Sequence, residues 1–352
     1  MSVIAESPPR GAWLGGVARI ALPVLLALVV GGLILLALEK NPLEYYAFVV
    51  ERGLLSWAGL QESITRSAPL LLIAAGLIVA FRAGIWNLGV DGQFLLSAVA
   101  AAALAPALAP VLPDWLTLTL SCLLAFAIGA LWSVVPALLK ARFGINEIIT
   151  SLMMSFLGIS FANVLVKLVF RDPGTTVPQT LTLPVEDRLA RLFGSTVNCG
   201  VIIAVLAVLL VHLMMTRTAF GLKLQVVGAN PRAAVHAGLP VGRLTVATFA
   251  LSAGLAGLAG AVEVVGVLGT IRADWNPAYG LLVVPLVFLA RFNGPAVIAF
   301  VFCFAVLQIG GESAARRLGV PHFYVLVLVG LLLLFLAVVE YLDHRRRASR
   351  GA

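Results

Sequence analysis

Charged side chains are scarce in this chain. Asp, Glu, Lys and Arg together make up 11% of its 352 residues, against 61% hydrophobic residues, and the mean hydropathy is +1.06. A soluble domain of this size needs far more polar surface to face water, so the soluble classes are excluded. Apolar runs of about 18 residues recur along the whole length, which is typical of helices that cross a bilayer. The sequence therefore predicts an all-α polytopic membrane protein.

Residues that could hold a metal or carry out catalysis are also few. The three cysteines (Cys122, Cys199 and Cys303) are far apart and form no CxxC pair, and the four histidines form no HExxH motif. This excludes a disulfide framework and the common zinc sites. The dipeptide Gly-Lys does not occur, so the chain has no P-loop for ATP. We therefore expect no catalytic residues, no metal and no cofactor, and any ATP that drives this protein is hydrolysed by another subunit.

Ten apolar segments are candidate membrane spans. They are Ile20–Leu38, Ser67–Phe81, Phe94–Leu112, Trp115–Leu139, Ile148–Phe170, Gly200–Met215, Leu244–Leu268, Gly280–Ala290, Ala296–Ile309 and His322–Leu342. The eighth and ninth are short for a hydrocarbon core about 30 Å thick. They are either two tilted or broken helices or one re-entrant pair. The expected number of spans is thus about ten, with eight as the alternative.

The distribution of charge predicts the orientation of these spans. With the amino terminus inside, the inner segments carry fourteen Lys and Arg against five acidic residues, and the outer segments carry ten of each. Cytoplasmic loops are enriched in Lys and Arg, so both termini are expected in the cytoplasm. The basic excess then reflects membrane topology and not nucleic-acid binding. We predict a cytoplasmic segment 1–19, a membrane domain 20–342 and a basic cytoplasmic tail 343–352.

Two connections are long: residues 171–199, expected outside, and residues 216–243, expected inside. Within the inner loop, Asn230 and Pro231 are a strong helix start, because Asn caps free amides and Pro suits the first helical position. Gly238 suits the left-handed residue after a helix end. These signals predict a short helix, Pro231–Ala237. A helix this short needs a surface to pack on, which either a cytosolic partner or the membrane face would provide.

The most polar stretch between two apolar segments is "FRAGIWNLGVDGQ", residues 81–93. We predict that it breaks the chain between the second and third spans and lies on a translocation path. Asn87 and Gln93 offer neutral donors and acceptors, Asp91 adds a carboxylate, and Trp86 offers a ring for stacking. If the stretch is helical, Asn87 and Asp91 share a face. The alternative interpretation is that Asp91 and Gln93 only cap the third span.

Glu263 is a further candidate, because it is an ionisable residue inside the seventh segment. A charged group at the centre of a bilayer costs about 2.5–3.5 kcal/mol on insertion scales. Either it lines a pathway, or it is structural and is relieved by the interface or by Arg272. The same segment spaces small residues four apart, at Ser252, Ala256 and Gly260, which lets helices approach closely.

Four blocks of the chain resemble, in the same order, motifs of the permease subunits of bacterial nucleoside and simple-sugar ABC importers. They are "FRAGIWNLGVDGQ" (81–93), "GINEIITSLMMSF" (144–156), "VVGANPRAAVHAGLPVGR" (226–243) and "LSAGLAGLAGAVEVVG" (251–266). The similarity extends over nearly residues 20–310. It implies a type II importer-like permease with ten helices in the bacterial inner membrane, taking a nucleoside or small sugar. One departure, residues 276–295, puts the exact substrate in doubt.

The resemblance also implies partners. These are two cytosolic ATPase domains, a second permease in a heterodimer, a periplasmic or lipoprotein substrate-binding protein and the surrounding lipid, with no nucleic acid. In such importers the short inner-loop helix docks on the ATPase, which assigns that contact to Asn230, Pro231, Arg232, Ala233, Ala234 and Gly238. The alternative function is an ion-coupled secondary transporter with broken helices. Such transporters usually need acidic groups at mid-membrane, and here Glu263 is the candidate.

Overall fold

A computed structural model describes residues 10–350 of the chain, apart from Phe193 and His322. This part contains fourteen α-helices. They are α1 (Arg10–Ala37), α2 (Pro42–Val50), α3 (Trp57–Arg82), α4 (Val90–Leu108), α5 (Asp114–Trp132), α6 (Val134–Phe143), α7 (Glu147–Val164), α8 (Gly200–Arg217), α9 (Ala219–Ala229), α10 (Pro231–His236), α11 (Val241–Glu263), α12 (Tyr279–Leu289), α13 (Gly294–Leu318) and α14 (Tyr324–Arg350). Short π-helical turns extend α2, α7 and α11 at their carboxyl ends.

Seven helical segments are long and apolar enough to cross a membrane, counted over the described residues. They are Trp57–Arg82, Val90–Leu108, Asp114–Phe143, Glu147–Val169, Gly200–Arg217, Val241–Leu268 and Gly294–Leu318. Shorter apolar stretches occur in α1, α9, α12 and α14. The chain is thus a multi-pass, all-helical membrane protein, as predicted, whereas the number of ten spans and the orientation of the termini stay predictions.

The two short predicted segments, Gly280–Ala290 and Ala296–Ile309, fall in helices of different length. The predicted segment Ala296–Ile309 lies inside α13, whose 25 residues are long enough to cross. The other lies in α12, whose 11 residues extend only about 16 Å at 1.5 Å per residue. The predicted segment Trp115–Leu139 is divided at Ser133, where the Oγ atom donates to the carbonyl of Ala130 (2.7 Å).

The helices form two compact units. The larger comprises Trp57–Ala305, and its core is built on α3, α4 and α11. Small residues allow these helices to touch: a Cβ atom at Gly76 would lie 2.6 Å from the carbonyl oxygen of Ser252, and one at Gly257 would lie 2.7 Å from Ser97 Oγ. The close approach of α11 to its neighbours agrees with its predicted pattern of small residues.

The smaller unit comprises the two ends of the chain, up to Ser56 and from Val306. Its core contains Leu35 of α1, Tyr45 of α2 and Tyr324 of α14. The Tyr46 hydroxyl lies 2.8 Å from the carbonyl oxygen of Leu28, to which it donates, and 3.1 Å from the Tyr324 hydroxyl. These bonds hold α2 against α1 and α14.

The long connection 171–199 has little regular structure but is tied to the chain that follows α11. The Leu183 amide donates to the carbonyl of Gly269 (2.8 Å), and the Leu189 amide donates to that of Val265 (2.9 Å). Arg188 adds a side-chain bond to the carbonyl of Val267 (2.8 Å). The loop is therefore a fixed part of the larger unit, which its sequence did not indicate.

Candidate functional site

The polar stretch between α3 and α4 interrupts the helices, as predicted. Helix α3 ends at Arg82, α4 begins at Val90, and the residues between them are not helical. Gly84 has a positive φ of +69°, a conformation that side chains disfavour. Because residues 83–89 are not helical, the helical face proposed for Asn87 and Asp91 does not form. We refer to residues 83–89 as the break.

Asn87 and Gln93 lie in the interior, 1% and 0% exposed, and their amides bind each other. Asn87 Nδ2 donates to Gln93 Oε1 (3.0 Å), and Gln93 Nε2 donates back to Asn87 Oδ1 (3.1 Å). Asn87 Nδ2 also donates to Ser252 Oγ on α11 (3.1 Å), and the Gly89 amide donates to Asn87 Oδ1 (3.1 Å). Both donors and both acceptor positions of this one amide are thereby used. The amide pair fixes the break to α4 and α11.

Helix α7 binds the break and the first turn of α4 through two serines. The Leu88 amide donates to Ser151 Oγ (3.1 Å), and the Gly92 amide donates to Ser155 Oγ (3.1 Å). Both serines are buried. Leu88 lies outside any helix and Gly92 lies in the first turn of α4, so these two hydroxyls satisfy amides that have no partner within a helix.

Trp86 is the most exposed of the predicted path residues, at 39%. Its ring stacks on Phe288 of α12, with centroids 5.5 Å apart and planes at 29°. Phe81 of α3 packs against both rings, at centroid distances of 5.1 and 5.0 Å. Trp86 thus joins the break to the carboxyl end of α12 and keeps part of its ring uncovered.

Asp91 reaches the other end of α12. Its Oδ1 atom accepts from the Gly280 amide (2.7 Å), in the first turn of that helix. Asp91 lies in the first turn of α4, as the capping interpretation expects, and its carboxylate also binds α12, whereas Gln93 binds Asn87. A carboxylate at a helix amino terminus satisfies free amides and complements the helix dipole.

Glu263 is buried, at 2% exposure, and its partner is Arg66 of α3, not Arg272. Arg66 Nη1 lies 3.6 Å from Glu263 Oε1. The Tyr279 hydroxyl donates to the same carboxylate oxygen (3.4 Å) and accepts from Arg66. The sequence did not identify Arg66 or Tyr279, because both contacts join distant segments. This cluster and Asp91 together anchor the amino terminus of α12.

The short helix predicted in residues 216–243 is present, and its predicted signals are confirmed. Helix α10 covers Pro231–His236 and begins at Pro231, as predicted. It ends one residue before the predicted end, Ala237. Asn230 caps it through Oδ1, which accepts from the Ala233 amide (3.0 Å). Gly238 follows with φ of +75° and no atom near its missing Cβ.

The side chains of α10 divide into an outward and an inward face. Arg232, Ala233 and Val235 are exposed, Val235 to 60%, whereas Ala234 is completely buried. Ala234 therefore packs into the chain and does not belong to the outward surface, while Val235, which the sequence did not single out, does.

Over the described residues, no group of three His, Cys, Asp or Glu side chains is arranged to hold a metal ion. The polar groups of the break and of the cluster around Glu263 are bonded mainly to one another. No nucleophile with an adjacent base is found among these groups.

Comparison with known proteins gives a family and several relatives. The family model described as "Branched-chain amino acid transport system / permease component" matches residues 59–337. The chain is 33% identical to the glucose ABC transporter permease protein TsgB13 of Haloferax volcanii, over 98% of this chain and 94% of the relative. It is 27% identical to the nucleoside ABC transporter permease protein NupB of Lactococcus lactis, over 90% of this chain and 89% of the relative. It is also 26% identical to the guanosine ABC transporter permease protein NupP of Bacillus subtilis, over 89% of this chain and 91% of the relative.

Proposed function

The chain belongs to the branched-chain amino acid transport system permease family, and from this premise we propose that it forms the path of an ATP-driven importer for a nucleoside or a small sugar. It is a permease subunit of an ABC transporter, a transport component and not an enzyme. The observation that carries the choice of substrate is the match over almost the full length to permeases named for glucose, nucleosides and guanosine.

The ion-coupled alternative is disfavoured by the relatives, and the two acidic residues that could bind an ion already have partners within the chain. Asp91 accepts the Gly280 amide, and Glu263 lies against Arg66 and Tyr279. An ion bound at either carboxylate would compete with these partners for its negative charge. The names of the relatives agree with this, because they describe ABC transporters.

Permeases of ABC importers work with an ATPase and a substrate-binding protein. The arrangement proposed for this chain is two ATPase domains, a second and different permease, and a binding protein delivering substrate from outside. The proposed location is the bacterial inner membrane, with both termini in the cytoplasm. The charge asymmetry of the sequence supports that orientation.

The proposed dock for the ATPase is the outward face of α10, formed by Arg232, Ala233 and Val235. An exposed valine beside an arginine and an alanine offers a small apolar surface with a charged edge, which suits a protein groove. Asn230 fixes the start of the helix. Pro231 and Gly238 set its ends, and Ala234 supports it from inside.

The test introduces a charge on this face. Ala233→Glu and Val235→Glu should each lower substrate-stimulated ATP hydrolysis by about tenfold or more, since couplings between sites are typically 1–3 kcal/mol. Thr176→Glu, at an exposed position of the loop expected outside, is the matched control. Normal stimulation in both α10 variants would remove the dock from this helix.

The proposed path residues are Trp86, Asn87, Asp91, Gln93 and Glu263, with two different roles. Trp86, with its partly uncovered ring, is proposed to contact the substrate. The other four, being bonded within the chain, are proposed to shape the path by holding the break and α12 in place. A ring that stacks on a base or sugar contributes about 0.5–1.5 kcal/mol, or roughly three- to tenfold in affinity.

Trp86→Ala should therefore lower uptake by about that factor or change the preference between nucleoside and sugar, without loss of assembly with the ATPase. Trp115→Ala is the control, because Trp115 is 70% exposed at the start of α5, away from the break. Wild-type uptake and selectivity in the Trp86 variant would exclude a direct contact.

A further inference from the structure

At one point, helix α9 contacts the break through backbone atoms of both segments. A Cβ atom placed on Gly228 would lie 2.9 Å from Gly84 N and from the carbonyl carbon of Ala83, and closer still to the carbonyl oxygen of Arg82. A Cβ atom on Gly84 would lie 3.0 Å from Gly228 Cα. No side chain separates the two segments at this point, so neither glycine can be enlarged without moving backbone. We call this contact the glycine joint.

On one side of the joint, α9 is a short, stiff connection to α10. Asn230 ends α9 and at the same time caps α10 through the Ala233 amide. Near the start of α9, Gly221 packs on the backbone of Met215, and from the middle of the helix Gln225 Nε2 donates to the carbonyl oxygen of Met215 (2.5 Å). Helix α9 is therefore fixed to α8 at its start and to α10 at its end.

On the other side of the joint, the break leads directly to the candidate path. Three residues after Gly84 comes Asn87, which is bonded to Gln93 and Ser252, and the Leu88 amide is bonded to Ser151. Trp86, between Gly84 and Asn87 in the chain, stacks on Phe288. A displacement of residues 83–84 therefore acts on α4, α7, α11 and the ring of Trp86 together.

We propose that the glycine joint between Gly84 and Gly228 transmits a displacement of α10 to the break. Docking of the ATPase and the conformation of the path are then coupled through this contact. Two backbones in contact cannot be compressed, and close-packed elements transmit displacement as rigid shifts. The proposal rests on the proposed docking of α10. Gly84 and Gly228 are positioning residues in it and do not touch the substrate.

The test is Gly228→Ala in the full complex with ATPase and binding protein, reconstituted in liposomes. Gly242→Ala is the matched control: it lies in the first turn of α11, and its nearest neighbour outside its own helix, Ala141 Cβ, would be 3.8 Å away, an ordinary contact. Alanine favours helix over glycine at both positions, so a defect confined to Gly228→Ala cannot come from helix propensity.

The quantity measured is substrate transported per ATP hydrolysed. We expect it to fall by about tenfold in Gly228→Ala, with ATPase co-purification retained, and to be unchanged in Gly242→Ala. A wild-type ratio in an assembled Gly228→Ala complex would overturn the proposal. Loss of coupling in Val235→Glu together with a normal ratio in Gly228→Ala would refute the joint alone. Normal coupling in Val235→Glu would refute the dock itself.

If Gly228→Ala does not assemble, hydrogen exchange in the wild-type complex decides. Adding a non-hydrolysable ATP analogue should change the exchange of the Leu88 and Gly89 amides in wild type, and this change should be absent in Val235→Glu. Unchanged exchange in the break, while peptides of α10 become protected, would contradict the joint.

Discussion

Replacing Asn87 or Gln93 should lower the free energy of unfolding by an amount that follows from the hydrogen bonds of their amides. Asn87 makes four bonds, two of them with Gln93. Interhelical hydrogen bonds in membrane proteins average about 0.6 kcal/mol in double-mutant cycles. Removing the whole amide in Asn87→Ala should then cost about 2–3 kcal/mol of unfolding free energy. The coupling energy between the two amides should be about 1 kcal/mol.

The assay is reversible unfolding of the permease in mixed detergent micelles, for wild type, Asn87→Ala, Gln93→Ala and the double variant. Ser121→Ala is the control, because Ser121 is buried and has one bond, to the carbonyl of Thr117 in its own helix (2.8 Å). It should cost well under about 1 kcal/mol. Additive effects of Asn87→Ala and Gln93→Ala, within about 0.3 kcal/mol, would refute the reciprocal pair.

Three further predictions concern topology, the Glu263 cluster and helix packing. In a background without native cysteines, a cysteine at Thr176 should be labelled by an impermeant reagent from outside and one at Ser349 should not; the reverse pattern would contradict the orientation. Glu263→Leu should lower the thermal stability more than Glu263→Gln, because glutamine keeps an amide oxygen that can accept from Tyr279 and Arg66, whereas leucine removes the acceptor; equal losses would indicate that these hydrogen bonds do not matter. Gly257→Leu should destabilise the protein by about 1–3 kcal/mol or more, since α5 backbone occupies the space, and unchanged stability would mean that α11 and α5 are not in contact there.

Local signals made helix α10 predictable from the sequence. Asn230 and Pro231 act within the helix that they start, and Gly238 acts at its end, so nothing distant had to be known. The break between α3 and α4 was predictable for the same reason, because glycines and polar residues interrupt an apolar pattern locally. The family resemblance was likewise visible in the order of the motifs, and the comparisons confirm it.

The bonding of the site could not be predicted, because its partners are far apart in the chain. Asp91 binds Gly280, which lies 189 residues away, and Asn87 binds Ser252, which lies 165 residues away. The periodicity of an apolar segment does not tell which neighbour packs on it. The division of α5 from α6 at Ser133 was missed because the apolar sequence continues through it. Likewise, Ala234 was assigned to the outer face because a short helix gives little pattern from which to choose a side.

The most direct test of the account is uptake into proteoliposomes that hold this chain with its ATPase, second permease and binding protein. Labelled nucleoside and glucose are supplied outside, with ATP inside and no proton or sodium gradient. The account predicts uptake of a nucleoside or a sugar that stops when the catalytic residue of the ATPase is replaced and that persists with a protonophore. Uptake driven by an ion gradient in the absence of the ATPase would contradict it.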